Sequence, residues 1–219
     1  MASEQNISKI MDLLANKYVS KTQLTIRRTS TESNSPFKVL VSCLLSLRTT
    51  DANTKRASER LFSVVNTFED LIEISIEELE KLIFSSGHYH KKARTLKHVS
   101  KDILKRFKGK VPATREELMS IKGIGPKTAN IVLAFAYGKD VLPIDTHCHR
   151  IPNRLGWVST KTPAQTEQEL YKILPKRYWK EFNTVIILFG KDICKSISPW
   201  CSKCTIRDYC NRTGVKKSR

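Results

Sequence analysis

The chain has 219 residues, 40% of them hydrophobic, and carries 39 Lys and Arg against 21 Asp and Glu, a formal net charge of +18. That length supports one large or two small domains with a real core, and such a positive excess marks a footprint for a polyanion, most simply nucleic acid, against the plainer reading of a solvated basic face. No apolar run is long enough to span a membrane and MASEQNISKI has no signal-peptide core, so the cytoplasm, in association with the nucleoid, is the expected location.

In chain order, Ile7, Ile10, Met11 and Leu14 recur at i, i+3, i+4 and i+7 and predict an amphipathic N-terminal helix. Residues 20–35 are polar, with Arg27 and Arg28 embedded, and read as a loop. Ser35-Pro36 supplies a cap and a first-turn proline for a nearly wholly apolar helix over Phe37–Ser46, followed by a polar break over Leu47–Asp51. A helix from about Asp51 to Val65 should place Ala57, Leu61, Val64 and Val65 on one face. Thr67-x-x-Asp70, Ser75-x-x-Glu78 and Thr114-x-x-Glu117 have the form of capping boxes. Tyr89–Phe107 reads as a long basic helix ended before Gly109, and Thr162-Pro163 opens another. Lys176–Gly190 holds a last apolar segment. Asn183–Phe189 alone also suits a strand, but helices on either side favour a buried helix. No hairpin alternation and no internal repeat is present, and the fold class is all-α.

The most informative stretch runs from Met119 to Arg154. Gly123 and Gly125 flank Ile124, so the backbone turns tightly and can approach a phosphate closely. Pro126 suits the first position of a helix that should stop at Gly138, and its apolar run, Ile131 to Ala136, marks it as buried. Its free N-terminal N–H groups make the turn an anion site. Lys127 stands at that positive end, where the dipole disfavours its charge and favours the free amine that a covalent nucleophile needs. Asp145 follows in Ile144-Asp145-Thr146-His147. The plainer alternatives are a phosphate-binding cation at Lys127 and a helix N-cap at Asp145. Pro152 lies well inside the helix expected after Asp145 and predicts a kink or an early stop.

Four of the six cysteines crowd into the last quarter as Cys194-x6-Cys201-x2-Cys204-x5-Cys210. In a reducing compartment such a cluster reads as metal ligation. Four thiolates in one short loop suit a [4Fe–4S] cluster, and a structural zinc site is the alternative. Lys195, Lys203, Arg207 and Arg212 stud the loop. Cys43 lies in an apolar helix and reads as core. His147-Cys148-His149 has metal-ligand residue types, but a buried, internally satisfied trio is the better reading.

Gly123-Ile124-Gly125-Pro126-Lys127-Thr128-Ala129-Asn130 resembles the helix-hairpin-helix of the endonuclease III family of DNA glycosylases, and Ile144-Asp145-Thr146-His147 resembles its catalytic aspartate segment. The resemblance runs from Ser35 to Cys210, and the cysteine spacing matches the family's cluster loop. It implies a bifunctional glycosylase and AP lyase that removes oxidised pyrimidines and cuts by β-elimination. Lys127 would be the Schiff-base nucleophile, Asp145 the supporting carboxylate, and Cys194, Cys201, Cys204 and Cys210 the [4Fe–4S] ligands. Gly123, Gly125, Thr128 and Lys203 would contact DNA. It further implies a six-helix domain over residues 29–139 and a cluster domain of 1–28 with 140–219, in a monomer whose partner is duplex DNA bearing damaged pyrimidines or abasic sites. Arg48 and His88 stand where the bacterial pattern carries glutamine and leucine, at the wedge positions that fill the duplex when a lesion is extruded; a bare phosphate contact and a solvent-exposed loop histidine are the plainer readings. Those departures bear on opposite-base preference and not on the reaction. Other lesion choices, such as mismatched or dimerised pyrimidines, and a non-catalytic DNA-binding protein are the rival functions.

The charge alone generates one measurable expectation. DNA affinity should fall steeply with salt, with a log–log slope of roughly 0.9 per phosphate contact and several such contacts. A flat response in a salt titration would remove the electrostatic case.

Overall fold

A computed structural model describes residues 4–19 and 35–219, so the polar segment with Arg27 and Arg28 lies outside the described residues. Every regular element among the described residues is helical. Compactness separates two units: α1 (Glu4–Tyr18) groups with Asp140–Arg219, and the residues up to Lys139 form the other.

The second of these contains α2 (Pro36–Ser46), α3 (Asp51–Phe62), α4 (Phe68–Glu73), α5 (Ile76–Ile83), α6 (Tyr89–Phe107), α7 (Arg115–Met119) and α8 (Pro126–Tyr137). Eight of the 11 residues of α2 are buried, so it has no solvent face and must be surrounded. Its most extensive partner is α8, and it also packs on α3 and α6. Each buried Val or Leu there contributes about 1.5–3 kcal/mol of transfer free energy. The one polar contact between α2 and α3 at this depth is met internally, Ser58 Oγ lying 3.5 Å from Ser42 Oγ. Phe37 stands edge-on to Phe68 at 4.8 Å and closes the floor.

Helix starts follow their caps. Thr67 and Asp70 form both halves of a capping box, while Ser75 and Thr114 accept from the amides of Glu78 and Glu117. The basic helix spans Tyr89–Phe107 and ends through left-handed Lys108 and Gly109. One expectation is corrected: α3 stops at Phe62, three residues early, where the Ser63 amide bonds back to Glu59. Val64 therefore turns out to solvent while Val65 is buried, and the two do not share a face.

The other unit adds α9 (Thr146–Leu155), α10 (Pro163–Ile173) and α11 (Trp179–Asp192) to α1. Ile7, Ile10, Met11 and Leu14 are fully buried in one cluster with Ile151, Phe182, Val185 and Ile186. Asn183–Phe189 is helical within α11, since its neighbours α1 and α9 offer apolar surfaces and no strand edge. Pro152 does not stop α9, which runs on to Leu155, so of the kink or early stop expected there the early stop does not occur. Only three helical residues follow it, so the missing N–H costs one bond near an end that is running out of them. The Pro152 carbonyl is used, accepting from Trp157 N at 2.9 Å.

Gly190 marks a close contact between α9 and α11. A Cβ there would lie 2.2 Å from His147 Nδ1 and 3.1 Å from Ile151 Cδ1. Gly190→Ala should cost on the order of 1–3 kcal/mol in chemical denaturation, because α9 must shift to make room. An unchanged midpoint would mean that His147 rotates away without cost.

Candidate functional site

The hairpin between α7 and α8 is held from below and open above. Ile121 and Ile124 are buried anchors, whereas Lys122, Gly123, Gly125 and Pro126 face solvent. Ile121 N and Ile124 N bond to the carbonyls of Leu118 and Ile121, at 3.2 and 3.1 Å. Gly123 has φ +108, and a Cβ there would press on Thr95 Cγ2 at 3.1 Å. The dihedral makes any side chain there strained, and a Cβ would also require Thr95 to give by a few tenths of an ångström. Gly125 is the N-cap of α8 without any side-chain cap, so the helix presents its first N–H groups outward.

Lys127 is the second residue of α8 and is half-buried. Thr128 beside it is 4% exposed, so its side chain faces the interior. It hydrogen-bonds Cys43 of α2. Burial pushes the Cys43 thiol up, an effect partly offset by Thr128 and by the charge of Lys127. Cys43 is core, as its sequence context predicts, and it lies under the hairpin's helix.

Arg48 and His88 sit on separate loops but line one cavity, of about 760 Å³ empty volume, with Leu44, Leu47, Lys91 and Lys92. Both are exposed and both have left-handed backbones, φ 54 and 48. Lys92 was not singled out by the sequence reasoning. It is 7% exposed and donates to the carbonyls of Leu45 and Ser86, each at 2.7 Å. A signal existed: Lys92, Leu96, Val99 and Ile103 occupy one stripe of α6, and only Lys92 breaks its apolar pattern.

Asp145 belongs to the other unit, as the N-cap of α9. Its Oδ1 accepts from His147 N at 2.8 Å and Cys148 N at 2.9 Å. The trio that follows diverges. His149 Nδ1 meets Thr166 Oγ1 at 2.6 Å, His147 Nδ1 meets Arg150 Nη2 at 3.1 Å, and buried Cys148 Sγ accepts from Asn183 Nδ2 at 3.5 Å. Each member bonds a different neighbour, as expected, but only Cys148 is buried; His147 and His149 are half-buried.

Cys194, Cys201, Cys204 and Cys210 are free, half-buried and line one small cavity, walled by Ile151, Leu155, Phe189 and Ile206. Among the described residues no three His, Cys, Asp or Glu side chains converge on a single-ion site. The sulfurs ring a space. Burial pushes the Cys204 thiol up to about 11, and the other three cysteines add to the shift. Arg154, Arg207 and Arg212 also line the cavity. Arg154 Nη1 approaches Cys194 Sγ at 3.5 Å, and Arg212 N donates to Cys210 Sγ at 3.4 Å. Four thiols, apolar walls, N–H donors and guanidinium charge fit an anionic iron–sulfur group. Arg154 is a second residue the sequence reasoning missed. It is 9% exposed and clamps the loop through the carbonyls of Lys195 (2.6 Å) and Ser196 (2.7 Å). Lys203 is exposed, with its ammonium 4.8 Å from the Trp200 ring.

An all-helical chain with an outward glycine hairpin and a cysteine-ringed loop has the build of a DNA base-excision repair protein. Residues 41–176 match the family model of the HhH-GPD superfamily of base excision DNA repair proteins. The chain is 45% identical over 175 residues to endonuclease III of Thermotoga maritima, covering 80% of this chain and 82% of that one. It is 34% identical over 183 residues to endonuclease III of Escherichia coli, covering 83% and 87%. A solved structure of a trapped endonuclease III–DNA covalent intermediate superposes with TM-score 0.86 at 33% identity, over 97% of each chain. The chain belongs to the endonuclease III family and is a bifunctional DNA glycosylase and AP lyase of base excision repair. That family generally carries a [4Fe–4S] cluster. No helix among the described residues is long and apolar enough to cross a membrane.

Proposed function

We propose that this enzyme acts on oxidised and otherwise damaged pyrimidines in duplex DNA, with Lys127 as its nucleophile. The observation that carries the reading is the position of Lys127. It is a half-buried amine at the start of a buried helix, immediately after an exposed glycine turn that offers backbone N–H groups to phosphate. The target nucleotide leaves the stack, because its sugar carbon is inaccessible inside the duplex. The Lys127 amine attacks C1′, the bond from C1′ to the base breaks, and the base departs with a proton. The C1′–O4′ bond of the resulting aminal then opens, the ring oxygen taking a proton, and the imine so formed lets a C2′ proton leave and the 3′ phosphate depart by β-elimination. Asp145 stabilises positive charge on the sugar or takes the proton from Lys127.

Gly123, Gly125 and Thr128 hold the strand through their backbone, Lys203 meets phosphate from the cysteine loop, and Arg48 and His88 fill the space left by the extruded nucleotide. Cys194, Cys201, Cys204 and Cys210 hold the [4Fe–4S] cluster, which ties the loop into one rigid piece. The domains divide as 29–139 and as 1–28 with 140–219, in a monomer of the cytoplasm and nucleoid.

Pure protein should be brown, with a broad visible band and about four irons per chain. Colourless, active protein with stoichiometric zinc would overturn the cluster assignment.

Borohydride should trap wild-type enzyme covalently on abasic DNA. Lys127→Gln should abolish trapping and strand cleavage while DNA binding persists. Asp145→Asn keeps a good N-cap, so the fold should hold while base release slows by roughly a hundredfold or more. A trapped adduct formed by Lys127→Gln at the wild-type rate would assign the chemistry to another amine.

A further inference from the structure

Arg48 and His88 are brought to one cavity from two separate loops, each through a left-handed residue. A non-glycine residue in that region costs on the order of 1–3 kcal/mol and persists only where its surroundings hold it. Lys92 touches the segments that lead into both loops, the last turn of α2 and the 3₁₀ turn Phe84–Ser86. Its ammonium donates at 2.7 Å to the carbonyl of Leu45, three residues before Arg48, and at 2.7 Å to that of Ser86, two residues before His88.

The lysine stands in an apolar stripe of α6, and burial pulls its pKa down to about 8. A side chain there only for packing would not incur that desolvation. The two carbonyls need one donor each, and the neutral amine still has two, so the bridge survives in either protonation state. With 7% exposure and both contacts directed at backbone, this amine is not placed to attack a sugar, despite its lowered pKa.

We propose that Lys92 is a positioning residue that ties the Arg48 loop and the His88 loop into one insertion element, so that both side chains enter opened duplex DNA together. This rests on the reading that Arg48 and His88 fill the duplex. It adds that their geometry is set jointly, by one side chain that itself touches no DNA.

Lys92→Met keeps the aliphatic stem and removes the donors. Amide hydrogen exchange should rise across residues 47–49 and 87–89. Processing of a lesion in duplex DNA should fall by about tenfold or more, the scale of one lost charge-assisted hydrogen bond. Cleavage of single-stranded abasic DNA should stay within about twofold, because no orphan base needs filling there. In an Arg48→Ala/His88→Ala background, Lys92→Met should add less than about twofold, since the three would act as one unit. A fluorescent base opposite the lesion should also brighten less than with wild-type enzyme.

Equal losses on duplex and single strand would reduce Lys92 to a structural role and overturn the proposal, as would unchanged exchange in the two loops. Normal duplex processing by Arg48→Ala/His88→Ala would instead sink the insertion reading, and the proposal with it, even if exchange showed the bridge. Should Lys92→Met not fold, Lys92→Gln, which keeps one amide donor group, carries the same comparison.

Discussion

The packing of α2 against α8 is the constraint on which the hairpin-bearing unit depends. Both helices bury residues on nearly every face, so neither can rotate or slide without exposing Val, Leu or Ile side chains. Fixing α8 fixes the residue at its second position. Lys127 therefore stands at a set depth beside the hairpin, with Thr128 turned inward to Cys43. Apolar burial, which is not directional, thus delivers a directional result: a defined amine next to an exposed run of backbone N–H groups.

The cysteine loop is built on the opposite principle. From Cys194 to Cys210 the chain has two short 3₁₀ turns and a series of tight-turn bonds, among them Trp200 N to Ile193 O at 3.0 Å and Cys210 N to Arg207 O at 3.1 Å. Side chains from outside the loop add to these, Arg154 reaching the carbonyls of Lys195 and Ser196, and Arg150 reaching that of Cys194 at 2.8 Å. Both arginines come from α9, the helix that Asp145 caps. Asp145 and the geometry of the cysteine loop therefore share one support, and the close approach of His147 to Gly190 locks that support against α11. A change in any of these positions would be felt by the loop and by the capped end together.

Arg48 and His88 bring two polar side chains to one cavity from separate loops. Their backbones are held in a conformation that side chains rarely adopt, and the cavity they line is bounded by further cations, Lys91 and Lys92. Two polar side chains give this cavity hydrogen-bonding and stacking capacity.

Much of this was legible in the sequence because it is local. Caps at Thr67, Ser75, Thr114 and Thr162, the glycines around Ile124, the limits of Tyr89–Phe107 and the spacing of the four cysteines all act within a few residues of themselves. The end of α3 at Phe62 and the passage of α9 through Pro152 were not legible, since each turns on how the neighbouring segment packs. Nor were the burial of Lys92 and Arg154, two cations whose partners are carbonyls 47 residues and about 41 residues away in the chain. A backbone carbonyl carries no residue type, so no pattern in the sequence announces it as a partner. The sequence by itself determined the all-helical class, most helix limits and the hairpin; only the tertiary structure decided which buried cations hold their loops, because those contacts exist only once distant backbone has been folded into reach.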